Sequence, residues 1–387
     1  MSEVDQKGGV VAGGDSHRER KASSFVTTLV GILFLLGSAA GALVLLNEGP
    51  ASPTCPPGAI TSYCTPYGNA GLAPNAAAIG TPAGGVVVVA PEGTTVSDAT
   101  ASPPSVPLPP NVQQLPVGVL GYTVSGIEPG GTIQVTIQLP PGTNANAYYK
   151  FDGTQWVDFT ANATFSPNAV VLSLTDNGAG DSDQSLGVIV DPGGPVLVDN
   201  TPPTITCPQD MAFVLNQPNA KLTAGVTDAG VGVASPSVTV DVNATAVGAA
   251  LNVPVTATDN GGNSATVQCA YAVHYKFTGF DPPVKSGVTK VEAGDELPLK
   301  WKLTDFANAP AGTAASFTGV VSAPADCGTY APTGAFAADK LDGPLKFKAG
   351  DYKANWETKK AWRNTCRVVG VNLDDGTRHV AKVQLTK

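Results

Sequence analysis

Several signatures of catalysis and metal binding are missing from this chain. Only three histidines occur among its 387 residues, and none lies in a His-Glu-x-x-His or Gly-x-Ser-x-Gly sequence. The cysteines never occur at Cys-x-x-Cys spacing, which excludes the common zinc-site pattern. The sequence therefore predicts a protein that is not an enzyme.

Charged residues are also few, at 14% of the chain, and the formal net charge is −9. An acidic chain is a poor partner for nucleic acid, because neutralising phosphates requires a basic surface. Hydrophobic residues make up 42%, which is enough to bury real cores in a chain long enough for two to four domains. We expect a folded protein that does not bind nucleic acid.

The chain has a single long hydrophobic run, at residues 25–46. The run has no charged residue and is long enough to cross a hydrocarbon core of about 30 Å as a helix. Basic residues are concentrated at 17–21, so the positive-inside rule predicts a cytoplasmic tail at 1–24 and an extracellular bulk. Because the run continues past the Ala-Gly-Ala sequence at 40–42, we favour an uncleaved signal-anchor helix. The alternative is signal cleavage and secretion.

Glycine and proline, in contrast, are abundant, with 44 and 33 residues, which predicts many turns. They dominate residues 47–75 together with alanine and serine, a composition typical of a semi-stiff spacer. Beyond the spacer, short apolar runs separated by turn signals favour strands over helices. Clear examples lie at 86–89, 133–139, 170–174, 237–242 and 253–258. The predicted fold class is all-β, with tandem Ig-like β-sandwich modules after a single N-terminal transmembrane helix.

The six cysteines fall into three sequential pairs, each within one predicted segment. Disulfides formed in an oxidising compartment are favoured over free buried thiols. Closing loops of this size contributes about 3–4 kcal/mol each in the chain-entropy model. The predicted pairs are Cys55 with Cys64, Cys207 with Cys269, and Cys327 with Cys366.

Residues 76–197 form the first predicted module. They contain Tyr148-Tyr-Lys-Phe-Asp-Gly-Thr-Gln-Trp156, Gly180-Asp-Ser-Asp183 and Asp191-Pro-Gly-Gly194. This set of motifs resembles the choice-of-anchor U domain of bacterial surface proteins. The resemblance implies an extracellular β domain near a cell-wall or membrane anchor, with no established activity.

The same module has four acidic residues in a glycine-rich stretch, and these are our candidate calcium ligands. Calcium takes six to eight oxygen ligands, and an acidic glycine-rich loop can supply carboxylate and carbonyl oxygens. The alternative is a tight solvated turn in which the aspartates accept hydrogen bonds from their own backbone. Calcium is the only cofactor predicted, and the residues are Asp176, Asp181, Asp183 and Asp191.

Residues 198–274 form the second predicted module. The sequence Thr201-Pro-Pro-Thr-Ile-Thr-Cys-Pro208 opens it, and Ala257-Thr-Asp-Asn-Gly-Gly-Asn263 precedes its last strand. These motifs resemble the hyalin-repeat and bacterial Ig-like group. We expect Asp259, Asn260 and Asn263 to occupy left-handed turn positions rather than to bind a ligand.

Residues 275–387 form the third predicted module. The sequence Tyr275-Lys-Phe-Thr-Gly-Phe-Asp-Pro-Pro-Val284 and the later Leu299-Lys-Trp301 resemble the bacterial PxKF domain, which implies a C-terminal part of a secreted multi-module protein without assigned catalysis. Its aromatic residues at 275, 277 and 280 are expected in the core rather than on a sugar-binding ledge. Four lysines would form a basic patch if the fold gathers them, namely Lys300, Lys302, Lys359 and Lys360.

The sequence thus predicts a non-enzymatic, membrane-anchored extracellular protein for structural or adhesive contacts at the bacterial cell surface. Its expected partners are the membrane, through one span, and a surface protein or polysaccharide. The alternative is a lectin-like glycan-binding protein, secreted or surface-bound. Exposure of Tyr148, Tyr149, Trp156, Trp356 or Trp362 as one coplanar strip would support that alternative, and burial of all five would exclude it.

Overall fold

The computed structural model of the protein describes residues 71–387, and this part is all-β, as predicted. The predicted cytoplasmic tail, the transmembrane helix, most of the spacer and the Cys55/Cys64 pair lie outside the described residues. Within 71–387, no helix has both the length and the hydrophobicity of a membrane span. The strands form six sheets, which pack in pairs around separate cores.

Sandwich 1 comprises residues 76–198. One sheet has the order β1-β2-β6-β10-β9, and the other has the order β3-β5-β11-β7-β8 with β4 paired to β11. A 3-10 helix at Thr160–Asn162 follows β8. The strands are β1 Ala76–Thr81, β2 Gly84–Val89, β3 Thr95–Ser102, β4 Val112–Gln114, β5 Val119–Ser125, β6 Thr132–Gln138, β7 Ala147–Phe151, β8 Trp156–Asp158, β9 Ala163–Ser166, β10 Ala169–Thr175 and β11 Val188–Val198.

The core of sandwich 1 is formed by strands in which buried and half-exposed side chains alternate. In β10, Val170, Leu172 and Leu174 are fully buried, whereas the residues between them are half-exposed. A period of two places successive side chains on opposite faces of a sheet, so one face of β10 packs inward. The same pattern in β5 buries Leu120 and Val124 opposite it.

Sandwich 2 comprises residues 204–274 and has two three-stranded sheets, ordered β12-β14-β15 and β13-β17-β16. Strand β13 pairs in parallel with β17, and the other pairs are antiparallel. The strands are β12 Thr204–Thr206, β13 Ala212–Val214, β14 Lys221–Thr227, β15 Ser237–Asp241, β16 Gly248–Thr258 and β17 Ser264–His274.

Sandwich 3 comprises residues 276–386, with sheets ordered β18-β20-β24-β23 and β19-β26-β25-β21-β22. Strand β19 pairs in parallel with β26. Two 3-10 helices lie at Ala314–Ser316 and Lys360–Trp362. The strands are β18 Lys276–Asp281, β19 Val288–Glu292, β20 Glu296–Thr304, β21 Phe317–Ala325, β22 Ala337–Ala338, β23 Lys346–Lys348, β24 Asp351–Glu357, β25 Cys366–Leu373 and β26 Arg378–Thr386.

Two of the three predicted disulfides lie in the described residues, and both are present. Cys207–Cys269 closes sandwich 2 and spans 62 residues. Cys327–Cys366 lies in sandwich 3 and spans 39 residues. Each bridge ties a loop outside the regular strands to a central strand, β17 or β25.

The turn after β16 differs from the sequence prediction. Gly262 has a positive φ of 94°, whereas Asp259, Asn260 and Asn263 do not adopt left-handed conformations. Glycine lacks a Cβ and takes this position without steric cost. The Asp259 carboxylate instead accepts a hydrogen bond of 2.8 Å from the backbone N–H of Asn263. The polar side chains therefore brace the turn rather than supply its unusual backbone angle.

The connections between the sandwiches are short. Residues 199–203 join β11 to β12, and Tyr275 alone joins β17 to β18. We call these connections, with the side chains bonded to them, the first and the second joint.

Candidate functional site

The first joint is built around Asp199, which directly follows β11. Its backbone N–H donates to the carbonyl oxygen of Asn111 in sandwich 1, at 2.8 Å. Its carboxylate accepts a hydrogen bond of 2.9 Å from the backbone N–H of Val231 in sandwich 2. The backbone N–H groups of Val231 and Thr201 hold the pKa of this carboxyl below its usual range. Asp199 therefore bonds both sandwiches at once.

Two further carboxylates approach Asp199. Asp228 accepts hydrogen bonds from the backbone N–H groups of Gly230 and Gly232, and Asp259 accepts two from Asn263. One oxygen from each aspartate lies within 4.8 Å of the other two, the only such acidic group in residues 71–387. Carboxylate oxygens of this kind are the donor set that calcium prefers. All three carboxylates already accept hydrogen bonds from N–H groups of the protein.

The sequence alone did not predict that these three aspartates lie close to one another. A signal was present in the strand pattern, because Asp199, Asp228 and Asp259 each follow immediately after the last residue of a strand. An aspartate at a strand end accepts hydrogen bonds from the turn that follows. The pattern did not indicate that the ends of these three strands lie close together in the fold.

The predicted calcium ligands take other roles. Asp176 accepts hydrogen bonds from the backbone N–H groups of Gly130 and Gly187, which lower its carboxyl pKa. Asp181 accepts three backbone hydrogen bonds, and Asp183 accepts one from the backbone N–H of Gln184. These hydrogen bonds are the ones expected for the alternative interpretation, a turn in which aspartates accept hydrogen bonds from the backbone. The calcium hypothesis for these residues stays a prediction.

Asp191 has a different environment from these turn residues, because its side chain is fully buried inside sandwich 1. Its Oδ1 is 2.7 Å from the Lys150 Nζ, and the Tyr122 hydroxyl donates to its Oδ2 at 2.6 Å. Burial raises the pKa of the Asp191 carboxyl, and the charge of Lys150 opposes that shift. The sequence analysis did not predict this buried pair.

The second joint is also hydrogen-bonded on both sides. The Phe306 backbone N–H of sandwich 3 donates to the Leu215 carbonyl of sandwich 2, at 2.9 Å. Beside this bond, the Asn216 side-chain amide donates to the Asp305 carboxylate at 3.0 Å, and this bond is the largest cause that lowers the Asp305 pKa. The second joint is thus fixed by the body of sandwich 3 as well as by the one-residue connection.

The aromatic residues of the lectin alternative do not form one exposed strip. Tyr148, Tyr149 and Trp356 are buried, while Trp156 and Trp362 are half-buried. Tyr148 packs in the core of sandwich 1 and Trp356 in that of sandwich 3, whereas Tyr149 and Trp156 pack in a separate apolar cluster; in each place apolar area is removed from water. The five residues therefore do not supply the exposed strip that would support the lectin alternative, and that alternative stays a prediction.

The aromatic residues at the start of sandwich 3 pack as expected. Tyr275 is buried, and Phe277 and Phe280 pack against the same core. The ring of Phe277 stacks on His379 with centroids 3.8 Å apart. These residues therefore stabilise the fold rather than form a ledge.

The predicted lysine patch is rearranged. Lys300 lines a pocket of about 310 Å³ together with three other lysines, and Lys359 and Lys360 do not line it. Lys359 instead lies 4.8 Å from the ring centre of Trp362. The lysines that accompany Lys300 come from β23 and β24, namely Lys346, Lys348 and Lys353.

Comparison with known proteins gives structural similarity alone. No family model matches the chain, and no curated protein matches it. An I-band fragment of titin is 10% identical, with a TM-score of 0.20, and the match covers 67% of this chain and 93% of that chain. Domains 4 and 5 of the S-layer protein SbsC are 11% identical, with a TM-score of 0.18, over 48% of this chain and 98% of that chain. At these values the similarity assigns neither a ligand nor an activity.

Proposed function

We propose that the protein is a non-enzymatic, membrane-anchored extracellular protein that presents its β-sandwiches for structural or adhesive contacts at a bacterial cell surface. The observation that supports this role is the construction of the two joints. Each connection is short, and each is bonded by backbone groups of both neighbouring sandwiches and by an aspartate. Such joints keep neighbouring modules in a fixed orientation, which a presenting arm requires.

The disulfides support the same location. Cys207–Cys269 and Cys327–Cys366 form and persist where the surroundings are oxidising, as outside the cytoplasm. The hydrophobic run at residues 25–46 is the proposed anchor, and the basic residues before it set the proposed orientation.

Location and topology are tested on the full chain in bacterial cells. We expect the chain in the membrane fraction, and we expect protease added to intact cells to remove residues 71–387 while a tag at residue 1 stays protected. A matched chain with Arg18, Arg20 and Lys21 changed to glutamate should insert less efficiently or in the opposite orientation. Recovery of the unchanged chain in the soluble cytoplasm contradicts the proposal.

A second candidate function, binding of an anionic polysaccharide, is favoured by the lysine pocket of sandwich 3. In the sheet register, Lys300 lies opposite Lys353, and Lys353 lies opposite Lys346. Like charges directly opposite one another destabilise a sheet, and Asp281, which lies opposite Lys300, offsets only part of the positive charge of this row. A polymer carrying carboxylate or phosphate groups would neutralise the row and gain affinity from it.

The polysaccharide candidate is tested with alginate, a polyuronate, and with neutral dextran of similar length. We expect saturable binding to alginate that weakens as salt rises, and loss of most binding in the double variant Lys346→Glu, Lys353→Glu. The control is Lys221→Glu, which changes an exposed lysine of sandwich 2. Equal binding by the double variant and by the control overturns this candidate.

A further inference from the structure

Lys150 and Asp191 are held against each other inside sandwich 1. Lys150 lies in β7 and Asp191 in β11, two neighbouring antiparallel strands, and Lys150 is opposite Gly193 in their register. The side chain of Lys150 is 10% exposed, and that of Asp191 is fully buried. Asp191 lies two residues before Gly193 in β11, and its Oδ1 is 2.7 Å from the Lys150 Nζ.

The contact is a close, buried ion pair. The Lys150 Nζ is 2.7 Å from Oδ1 of Asp191, and it also donates to the carbonyl oxygen of Gly180. A lysine ammonium has three N–H donors, so it can serve both partners at once. The lysine nitrogen is therefore held against the carboxyl group on the side of Oδ1.

The groups around the pair are suited to polarising the carboxyl group. The Tyr122 hydroxyl donates to Oδ2 of Asp191 at 2.6 Å, and the buried Tyr148 hydroxyl lies beside the same carboxyl group. The Phe159 ring centre lies 4.9 Å from the Lys150 Nζ. The site is thus buried and has a hydroxyl donor on Oδ2 of the carboxyl group.

We propose that Lys150 and Asp191 condense to form an intramolecular amide between Nζ and Cγ, which joins β7 to β11 covalently. The reaction needs two buried partners in contact, a donor for the developing oxyanion and a path for one water molecule. The first two of these are present in the geometry described above. Holding reacting groups in contact replaces a bimolecular encounter with an intramolecular step, and this is a large source of acceleration.

The step balances without any co-reactant. A proton passes from the Lys150 ammonium to Oδ1, which leaves a neutral amine and a neutral carboxylic acid. The nitrogen lone pair attacks Cγ, and the negative charge that develops on Oδ2 is stabilised by the Tyr122 hydroxyl. A second proton then moves from nitrogen to Oδ1, the Cγ–Oδ1 bond breaks, and water leaves. One amide and one water result, with no change in oxidation state.

Burial at the site favours the neutral form of the Asp191 carboxyl. Burial raises the pKa of the Asp191 carboxyl, and burial also raises the hydroxyl pKa values of Tyr122 and Tyr148 well above their usual range. Both hydroxyls therefore remain protonated donors. A buried ion pair carries a desolvation penalty that a neutral amide does not, so the product also suits the apolar core better.

The test is the mass of the purified full chain after reduction and denaturation. We expect a mass lower by about 18 Da, one water, than the sequence of the same chain requires. Proteolysis should then release one branched peptide that contains both Lys150 and Asp191. The peptide assignment matters because dehydration of an Asp-Gly sequence, as at 152–153, gives the same mass change without a branch.

Variants separate the chemistry from simple proximity. Lys150→Arg keeps a cation but cannot form the amide, so it should have the full sequence mass. Asp191→Asn should lose ammonia rather than water, about 17 Da, if the amine attacks Cγ. Tyr122→Phe should slow amide formation after refolding by about 100-fold, the typical effect of removing one oxyanion donor.

The exposed ion pair of Lys221 with Asp241, at 2.6 Å, is an internal control and should stay unlinked. The proposal is overturned if the folded wild-type chain yields separate, unmodified peptides around residues 150 and 191. That measurement needs no variant to fold. Because an amide consumes the carboxylate, a positive result would also remove Asp191 from the predicted calcium ligands.

Discussion

The Asp375 carboxylate accepts a hydrogen bond of 2.9 Å from the backbone N–H of Tyr275, although 100 residues separate them in sequence. Tyr275 is the single residue between sandwich 2 and sandwich 3, and Asp375 is fully buried. The other oxygen of Asp375 accepts hydrogen bonds from the backbone and side chain of Thr377. The turn between the last two strands of sandwich 3 therefore fixes the connection to sandwich 2.

The variant Asp375→Ala should destabilise the second joint. It leaves the buried N–H of Tyr275 without an acceptor, and an unsatisfied buried donor costs about 1–3 kcal/mol. We expect a loss of this size for the unfolding transition of sandwich 3, measured in guanidinium by tryptophan fluorescence. The matched control Asp241→Ala removes an exposed carboxylate and should change stability by less than about 0.5 kcal/mol. Equal stability of both variants would show that the Asp375 bond is not needed.

Loss of the Cys207–Cys269 bridge should destabilise sandwich 2. For a loop of 62 residues the chain-entropy model gives about 4 kcal/mol. Because sandwich 2 has a smaller core than sandwich 1, we expect the double variant Cys207→Ala, Cys269→Ala to unfold this module at low denaturant. Amide hydrogen exchange should show rapid exchange across β13–β17 while sandwich 1 stays protected. Unchanged protection in sandwich 2 would argue against this role.

Gly180→Ala should be strongly destabilising. Gly180 has φ of 86°, and a methyl group there would lie 2.7 Å from both the Leu174 Cδ2 and the Phe159 Cζ. The left-handed backbone costs about 1–2 kcal/mol for a residue with a Cβ, and the overpacking adds about 1–3 kcal/mol. The control Gly142→Ala has φ of 84° but no atom within 4 Å, so it should show the backbone cost alone. Thermal unfolding compares the two, and similar melting temperatures would contradict the packing argument.

Stability should fall in acid partly through His379. Burial lowers the pKa of this imidazole, as does the charge of His274, while Asp375 opposes the shift. A lowered folded-state pKa means that the unfolded chain binds the proton more tightly. His379 therefore contributes full stability above the unfolded pKa of about 6.5, and the contribution falls as pH drops below that value.

The measurement for His379 is the unfolding free energy of sandwich 3 between pH 8 and pH 5, for the wild type and for His379→Phe. Phenylalanine keeps a ring against Phe277 but cannot titrate. We expect the wild type to lose more stability than the variant over this range. Parallel pH profiles would show that His379 titrates alike in the folded and unfolded chain.

Local patterns in the sequence predicted the strands well but not their neighbours. The apolar run at 170–174 became β10, and the Cys207 and Cys269 pairing was found as expected. Both follow from side-chain alternation or from the order of residues within one segment. The sequence could not indicate that β7 lies beside β11, because strand order depends on how distant elements pack.

The same limit explains the sites that were missed. Of the three clustered aspartates, only Asp259 was predicted to have a role, as a turn residue, and its approach to Asp199 and Asp228 depends on three strand ends meeting. Lys353 was not included in the lysine patch for the same reason, since only the register places it opposite Lys300. The predicted burial of Tyr275 was correct, although this residue lies between two strands rather than within one.

The parallel pairing of β13 with β17 gives sandwich 2 a mechanical property. When the Cys207–Cys269 bridge is reduced, tension between the two ends of the sandwich pulls these neighbours past each other along their length, so their hydrogen bonds must break together rather than one by one. When the bridge is formed, it carries the force directly and shields β13, because it links the residue after β12 to the middle of β17. A stretched molecule can lengthen only by the chain outside this bridge. The redox state of the surroundings consequently sets how far the protein extends under force.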